Sequence, residues 1–428
     1  MATTGSGRHG RPRPARRRRS RRGWYLAAGT GAALALVTWA FVSAGGSPPP
    51  AATANRTGGA TREAGAGPAR PGAASARPAR SGPALEFCPT QAAASLRTVL
   101  ARAVPGSGQA EVQPLGVAGN GRQVYVSAWT PDFSGVGLLT LATGRLRSIR
   151  PFGDPATDQA DGAAAGRWLV WAQTYSLSSL DRFTMYAFDS ATRTLRRIGH
   201  SIAGAGGVPW PSPWHAPAVS GHYAAWAQGY GAGGLVEIRL ANLATGQVTT
   251  IRQGHVQPPL FDGDLVVWPE SDAPGTQTTL RAYSLTARRL VPLPAALRAV
   301  HGTEFVVSDG TRTAYLSPDL TRLYYSPRQD QPARPALVLP AGVDFAGLAM
   351  APGTLAWTTS QATYLASTTT GAFTKVTHRY GYATGSGSVV LVTDAPSQKA
   401  VHPALPLHVV DPAGISWPRC QGRAGVLH

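Results

Sequence analysis

The sequence predicts an all-β fold built from a repeated unit, and three observations carry that expectation. Short apolar runs rich in Val, Trp and Tyr recur between residues 110 and 420. Polar turns of fixed spacing separate the last two runs of each unit. No run in this region has the length or the 3.6-residue period of an amphipathic helix. The clearest unit is Ser220 to Ile251. It opens on a Gly turn, continues through Tyr223-Ala-Ala-Trp226 and Val236–Leu243, turns at Ala244-Thr245-Gly246 and closes at Ile251. Its closing strand recurs at the same offsets. Thr143, Leu146 and Ile149 match Thr192, Leu195 and Ile198, then Thr245, Val248 and Ile251, then Thr370, Phe373 and Val376. Ala287, Leu290 and Leu293 fit with Ala in place of Thr, and two degraded copies follow the same order at 304–323 and 389–417. A period of roughly 40 to 50 residues with about four strands per unit predicts a β-propeller. Seven blades are expected, with six as the alternative.

The Trp near the end of several second strands (Trp129, Trp171, Trp226, Trp268, Trp357) is read as packing between blades. The pattern of Gly, a short run ending in an aromatic, and an Asp/Asn/Ser-x-x-Thr-Gly turn resembles the TolB-like and WD40-like propellers. Asp189 and Asn242 stand at the polar position of that turn, although Arg193 replaces the Gly in the Asp189 copy. The resemblance covers about 110–420. It implies a propeller with a scaffolding or partner-docking role, and it implies no chemistry, since such propellers host many activities. The Trp-Asp and Gly-His signatures of WD40 blades are absent.

Ahead of the repeats the chain divides into three segments. Residues 1–23 hold nine Arg and no acid, a self-repelling basic tail. Trp24–Ala44 is uncharged and long enough, at about 1.5 Å per residue, to span a bilayer core of about 30 Å as a helix. Arg on its N-terminal side places that end in the cytoplasm and the rest of the chain outside. The alternative is a signal peptide cut near Val42-Ser43-Ala44, which also exports the remainder. Residues 45–85 are an Ala/Gly/Pro/Ser linker that cannot build a core. Residues 86–428 are the propeller domain. The Ala/Arg bias suits a GC-rich bacterial genome such as an actinobacterial one. Most of the +19 net charge sits in the first 85 residues, so the folded part is only mildly basic and nucleic acid is not expected as a partner.

Two Cys, Cys88 and Cys420, flank the repeats, and in an exported chain they are expected to form a disulfide that clamps the first blade to the last. Leu96, Val99, Leu100 and Ala103 mark the apolar face of a short helix before the first blade.

Candidate chemistry falls on the connections that lead from each outer strand to the next inner strand, which meet around the channel of a propeller. The connection GVPWPSPWHAP holds Trp210, Trp214 and His215, where flat aromatic faces on a Pro-stiffened loop suit a sugar ring or a peptide. Tyr380 and Tyr382 join this set of ligand-binding candidates. His215, His255, His301 and His378 could converge as a divalent-metal site, although no local metal motif supports it and no cofactor is expected otherwise. Asp154, Asp158 and Asp161 lie in the first connection without Ca²⁺-loop spacing, and Asp262-Gly263-Asp264 reads as a turn. No nucleophile elbow, zinc-protease motif or P-loop is present. Two functions follow as expectations. The first is a membrane-anchored extracytoplasmic module binding a protein or cell-envelope glycan. The second is a metal-dependent lyase or hydrolase using the His set.

Overall fold

The computed structural model describes residues 85–420, apart from 108–110, 155–156, 176–180, 214–216, 304, 341, 344, 378–380 and 395–405. The basic tail, the Trp24–Ala44 segment and the linker to residue 84 lie outside the described residues. Among the described residues no helix is long and apolar enough to cross a membrane.

The chain enters through β1 (Cys88–Pro89) and α1 (Ala94–Leu100). Antiparallel meanders follow. The first holds β2 (Glu111–Val117), β3 (Gln123–Trp129), β4 (Ser134–Thr140) and β5 (Leu146–Pro151). The second holds β6 (Gln159–Ala165), β7 (Trp168–Thr174), β8 (Phe183–Asp189) and β9 (Thr194–His200). In the third, β10 (Ala218–Ser220), β11 (Tyr223–Gly231), β12 (Leu235–Asn242) and β13 (Val248–Val256) pair in order. The fourth comprises β14 (Leu260–Asp262), β15 (Leu265–Ser271), β16 (Thr279–Ser284) and β17 (Arg289–Val291). The end of β13 pairs with β15, so these two meanders share one sheet. Next come β18 (Val306–Ser308), β19 (Thr313–Leu316), β20 (Arg322–Ser326) and β21 (Arg334–Val338). The sixth contains β22 (Phe345–Ala351), β23 (Thr354–Thr359), β24 (Thr363–Ser367) and β25 (Ala372–Lys375), with β1 added in parallel along β25. The last has three strands, β26 (Ala383–Ser386), β27 (Val389–Thr393) and β28 (Leu407–Val410).

This is a β-propeller. Its innermost strands touch in ring order, β2 to β6, β10, β14, β18, β22 and β26, and β26 returns to β2. One apolar cluster fills each gap between neighbouring meanders, including the gap between the last and the first. A single meander would leave both faces of its sheet in water, and stacking against two neighbours removes that penalty. Trp171, Trp226, Trp268 and Trp357 each occupy the fourth position of a second strand and are fully buried, as the repeat predicts. Gly166, Gly221 and Gly263 open the first hairpin of three meanders at φ 57°, 55° and 60°, a left-handed turn conformation that glycine adopts without steric cost. A register shift recurs between the third and fourth strands, at Val136/Gly137, Met185/Tyr186, Ile238/Arg239 and Leu323/Tyr324. Such bulges increase the local twist.

Closure differs from the expectation in one respect. Cys88 and Cys420 are joined, with Cα atoms 5.8 Å apart. The bond does not span the first and last meanders. Cys88 lies on the outer edge of the sixth meander, opposite Ala372, and Cys420 follows the seventh. The segment from residue 85 to 107 acts as a strap. Phe87 wedges between the fifth and sixth meanders against Tyr325 and Trp357. Leu96 of α1 packs on Val410 of the three-stranded meander, in place of an outer strand. Val104 N–H then donates to Leu407 C=O, and Leu407 N–H donates to Ser107 Oγ. The strap has filled the sixth and seventh meanders by the time it reaches the first, so the first-to-last seam is held noncovalently. There Val117 N–H donates to Ser386 Oγ at 2.8 Å.

Candidate functional site

The outer-to-inner connections lie on one end of the ring, the connection face, and the first-to-second and third-to-fourth strand turns lie on the other. On the connection face Asp158 is consumed structurally. It is buried, and its Oδ2 accepts from the backbone of Gly153 and from the Gln173 side chain at 2.8 and 2.9 Å. Arg150 Nε donates to Gln173 Oε1 at 3.0 Å and its guanidinium lies over the Tyr186 ring. This chain fixes the first connection against the second meander. The carboxylate is therefore a loop anchor and not one of three Ca²⁺ ligands.

Asp161 differs. It stands three positions further on, inside β6, and accepts a long contact of 3.4 Å from Gln113 Nε2 on the neighbouring innermost strand. Burial pushes its carboxyl up to about 6, and the Gln113 amide opposes that rise. Glu111 shares a sheet side with Gln113 on β2, toward the second meander, and Gln159 shares one with Asp161 on β6, toward the third.

The connection carrying Trp210 is a built hairpin. Trp210 N–H donates to Ile202 C=O, Gly204 N–H donates to Val208 C=O, and Ala203 bridges Pro209. A Cβ on Gly204 would come within 2.8 Å of the Trp210 ring, so the indole lies against bare backbone. Ser212 Oγ accepts from Gly229 N–H at 2.8 Å and docks the loop on β11. Trp210 remains half-buried, and Val208 at the tip is 65% exposed. Trp214 and His215 lie outside the described residues, as do His378 and Tyr380. Tyr382 is half-buried and its backbone pairs with Thr393 just before β26.

His255 and His301 do not stand by the channel. β13 runs on through Val256, which leaves only a short link to β14, so His255 is taken up in an outer strand opposite Ser271. The fourth-to-fifth connection folds outward and buries Ala296, Leu297 and Val300, and His301 is left exposed beside Thr279 of β16. Among the described residues no group of three His, Cys, Asp or Glu could hold a metal ion.

Sequence reasoning missed a buried polar ladder. Two positions after each of three core Trp residues stands an amide or an acid: Gln173, Gln228 and Glu270. Trp226 Nε1 donates to Gln228, Gln228 donates to Glu237, and Glu237 also accepts from Arg239, Thr250 and Gln253. Trp268 Nε1 donates to Glu270, which Arg252 of the preceding meander pairs with. The recurring Trp-x-Gln/Glu spacing was the available signal. These acids are saturated by hydrogen bonds and are structural. Asp189 is likewise held by Arg167, which brings its carboxyl down to about 2. A shallow cavity of about 330 Å³ lies on the opposite end, between Gly353, Ser367, Thr370, Pro412 and Trp417, away from Asp161 and Trp210.

No family model matches the chain, and no curated protein matches its sequence. Solved structures do match. A prolyl endopeptidase superposes with TM-score 0.50 at 14% identity, over 75% of this chain and 49% of that one, so this chain spans about half its length. An oligogalacturonate lyase from Vibrio parahaemolyticus gives 0.48 at 12% identity, over 71% and 91%. TolB from Acinetobacter baumannii gives 0.35 at 12% identity, over 72% and 65%. At such identities the likeness shows the fold alone.

Proposed function

We propose that this chain is a seven-bladed extracytoplasmic propeller, anchored through Trp24–Ala44, that binds a protein or cell-envelope ligand on its connection face. The observation that carries the binding reading is the Ile202–Ser212 hairpin. It holds a half-exposed indole and an exposed Val on a loop pinned to β11, the arrangement of a preorganised aromatic anchor. The Cys88–Cys420 bond supports an oxidising location, since such bonds persist outside the cytoplasm. The test is binding of envelope components to the full chain and to Trp210→Ala. The variant should lose about tenfold in affinity, the scale of one aromatic anchor, with its unfolding midpoint unchanged. Binding that survives the substitution removes the loop from the site. External protease that cuts beyond residue 45 in intact cells, while an N-terminal epitope stays protected, tests the anchor; a mature N-terminus near Gly45 would instead show a cleaved signal.

A second reading, a lyase or hydrolase, draws on Asp161. A half-buried carboxyl raised to about 6 is the kind of group that acid–base chemistry uses.

A further inference from the structure

Charge is sorted along the propeller axis in the first three meanders. The acids gather toward the connection face. Asp132, Asp154, Asp158 and Asp181 sit in its loops, and Glu111 and Asp161 near the start of innermost strands. The other end is made of six reversals, at 118–122, 141–145, 166–167, 190–193, 221–222 and 243–247. Those reversals hold Arg122, Arg145, Arg167, Arg193 and His222, all exposed, and no acid. The nearest carboxylate, Asp189, is buried and already taken by Arg167. Among the described residues, Arg122, Arg145 and Arg193 have no carboxylate partner.

The reversals are neighbours in space. Tyr125 OH donates to Arg167 C=O, and a Cβ on Gly119 would lie 2.9 Å from Gly166 O, so the first two inner turns are in contact. Arg196 donates to Leu243 C=O and ties the second meander to the outer turn of the third. The left-handed position of the outer turn is Gly144 in the first meander and Gly246 in the third, but Arg193 in the second, at φ 58°. L side chains rarely adopt that conformation, and Arg288 in the outer turn of the fourth meander adopts it as well, at φ 53°.

We propose that this hairpin-turn face of the first three meanders binds an extended acidic polysaccharide. Guanidinium forks match carboxylate and sulfate groups, and their spread over several turns suits a chain more than a small anion. None of the exposed large apolar residues, Tyr175, Val208, Leu290 and Val338, lies in these six turns, which disfavours insertion into a lipid surface. The surface is at the opposite end from Trp210, so its failure would leave the connection-face reading intact.

The test uses the full chain with polygalacturonate as probe. Arginine-selective phenylglyoxal labelling, mapped by peptide mass, should fall about fivefold at Arg122, Arg145 and Arg193 when the polymer is added, and recover in high salt as screening predicts. Labelling at Arg281 and Arg298 should not change. The triple variant Arg122→Glu, Arg145→Glu, Arg193→Glu should lose about tenfold or more in affinity, as expected for removed charge pairing. A control of equal charge change, Arg281→Glu, Arg298→Glu, Arg322→Glu, should stay within about twofold, as surface charges away from a site do. Protection confined to residues 1–23, uniform protection, equal loss in both variants, or protection only by anionic vesicles would overturn the proposal.

Discussion

Gln113 on the innermost strand of the first meander donates across the gap to Asp161 on that of the second, at 3.4 Å. The bond is too long to repay the desolvation of a carboxylate, and the Asp161 carboxyl is accordingly raised by burial to about 6 from 3.8. Between those two values the unfolded chain has lost this proton and the folded chain keeps it. Stability therefore falls as pH rises from about 4 to 6, and is flat with respect to this group on either side. The full shift would correspond to about 3 kcal/mol; because Asp161 is only half-buried, solvent screening reduces the expected loss to about 1–2 kcal/mol. Asp161→Asn should abolish this part of the pH dependence and raise the denaturant midpoint at pH 7. An unchanged profile in the variant would show that the group titrates normally.

Gly199 closes the second meander where Arg150 closes the first and Arg252 the third. The two Arg reach acceptors in the next meander, Gln173 and Glu270. In the third meander the equivalent Gln228 is already satisfied by Trp226 and Glu237, and the Trp226 ring fills the space instead, 2.8 Å from a Cβ built on Gly199. Gly199→Ala should cost about 1–3 kcal/mol by overpacking, measured by urea unfolding. A near-neutral result would mean the indole can move aside.

The disulfide closes a loop of sequence separation 332. In the loop-entropy account its removal costs up to about 5 kcal/mol. Because Cys88 sits on a strap that plugs the fifth-to-sixth gap with Phe87, loss of the bond should free residues 85–107 first. Cys88→Ser with Cys420→Ser should lower the melting temperature, and amide exchange should rise first in Phe87 to Leu100. Uniform exchange across all meanders would contradict a local role for the strap.

The parts of the fold visible in the sequence were those set by local rules. Gly turns, second-strand Trp residues and the Thr-x-x-Leu-x-x-Ile spacing repeat because each meander solves the same packing problem. The disulfide partners were visible because only two Cys exist; the place of the bond was not, since nothing local told the strap to cover the sixth and seventh meanders before entering the first. The site was less legible for the same reason. Asp154, Asp158 and Asp161 look alike in sequence, yet one caps a loop and another faces a neighbouring strand, and only the ring separates them. His255 reads as a loop residue until β13 is seen to extend through it. The basic turns at 122, 145 and 193 are scattered in the sequence and meet only because hairpin reversals share one end of a propeller.

Metal content separates the two functional readings. His255 and His301 stand on outer parts of the third and fourth meanders, so a channel site would have to be assembled from other side chains. Transition-metal sites generally need three or four nitrogen, sulfur or oxygen ligands at about 2.0–2.3 Å. The full chain, purified without chelator and analysed for elements, should therefore carry transition metal well below one equivalent, and its unfolding midpoint should not move on addition of EDTA. Stoichiometric metal that disappears in His215→Ala would reverse this and favour the lyase or hydrolase reading. Under that outcome Asp161→Asn becomes the decisive variant. A true acid–base role would lower turnover and shift the pH–rate profile near 6, whereas a structural role for Asp161 would change neither the profile nor its midpoint.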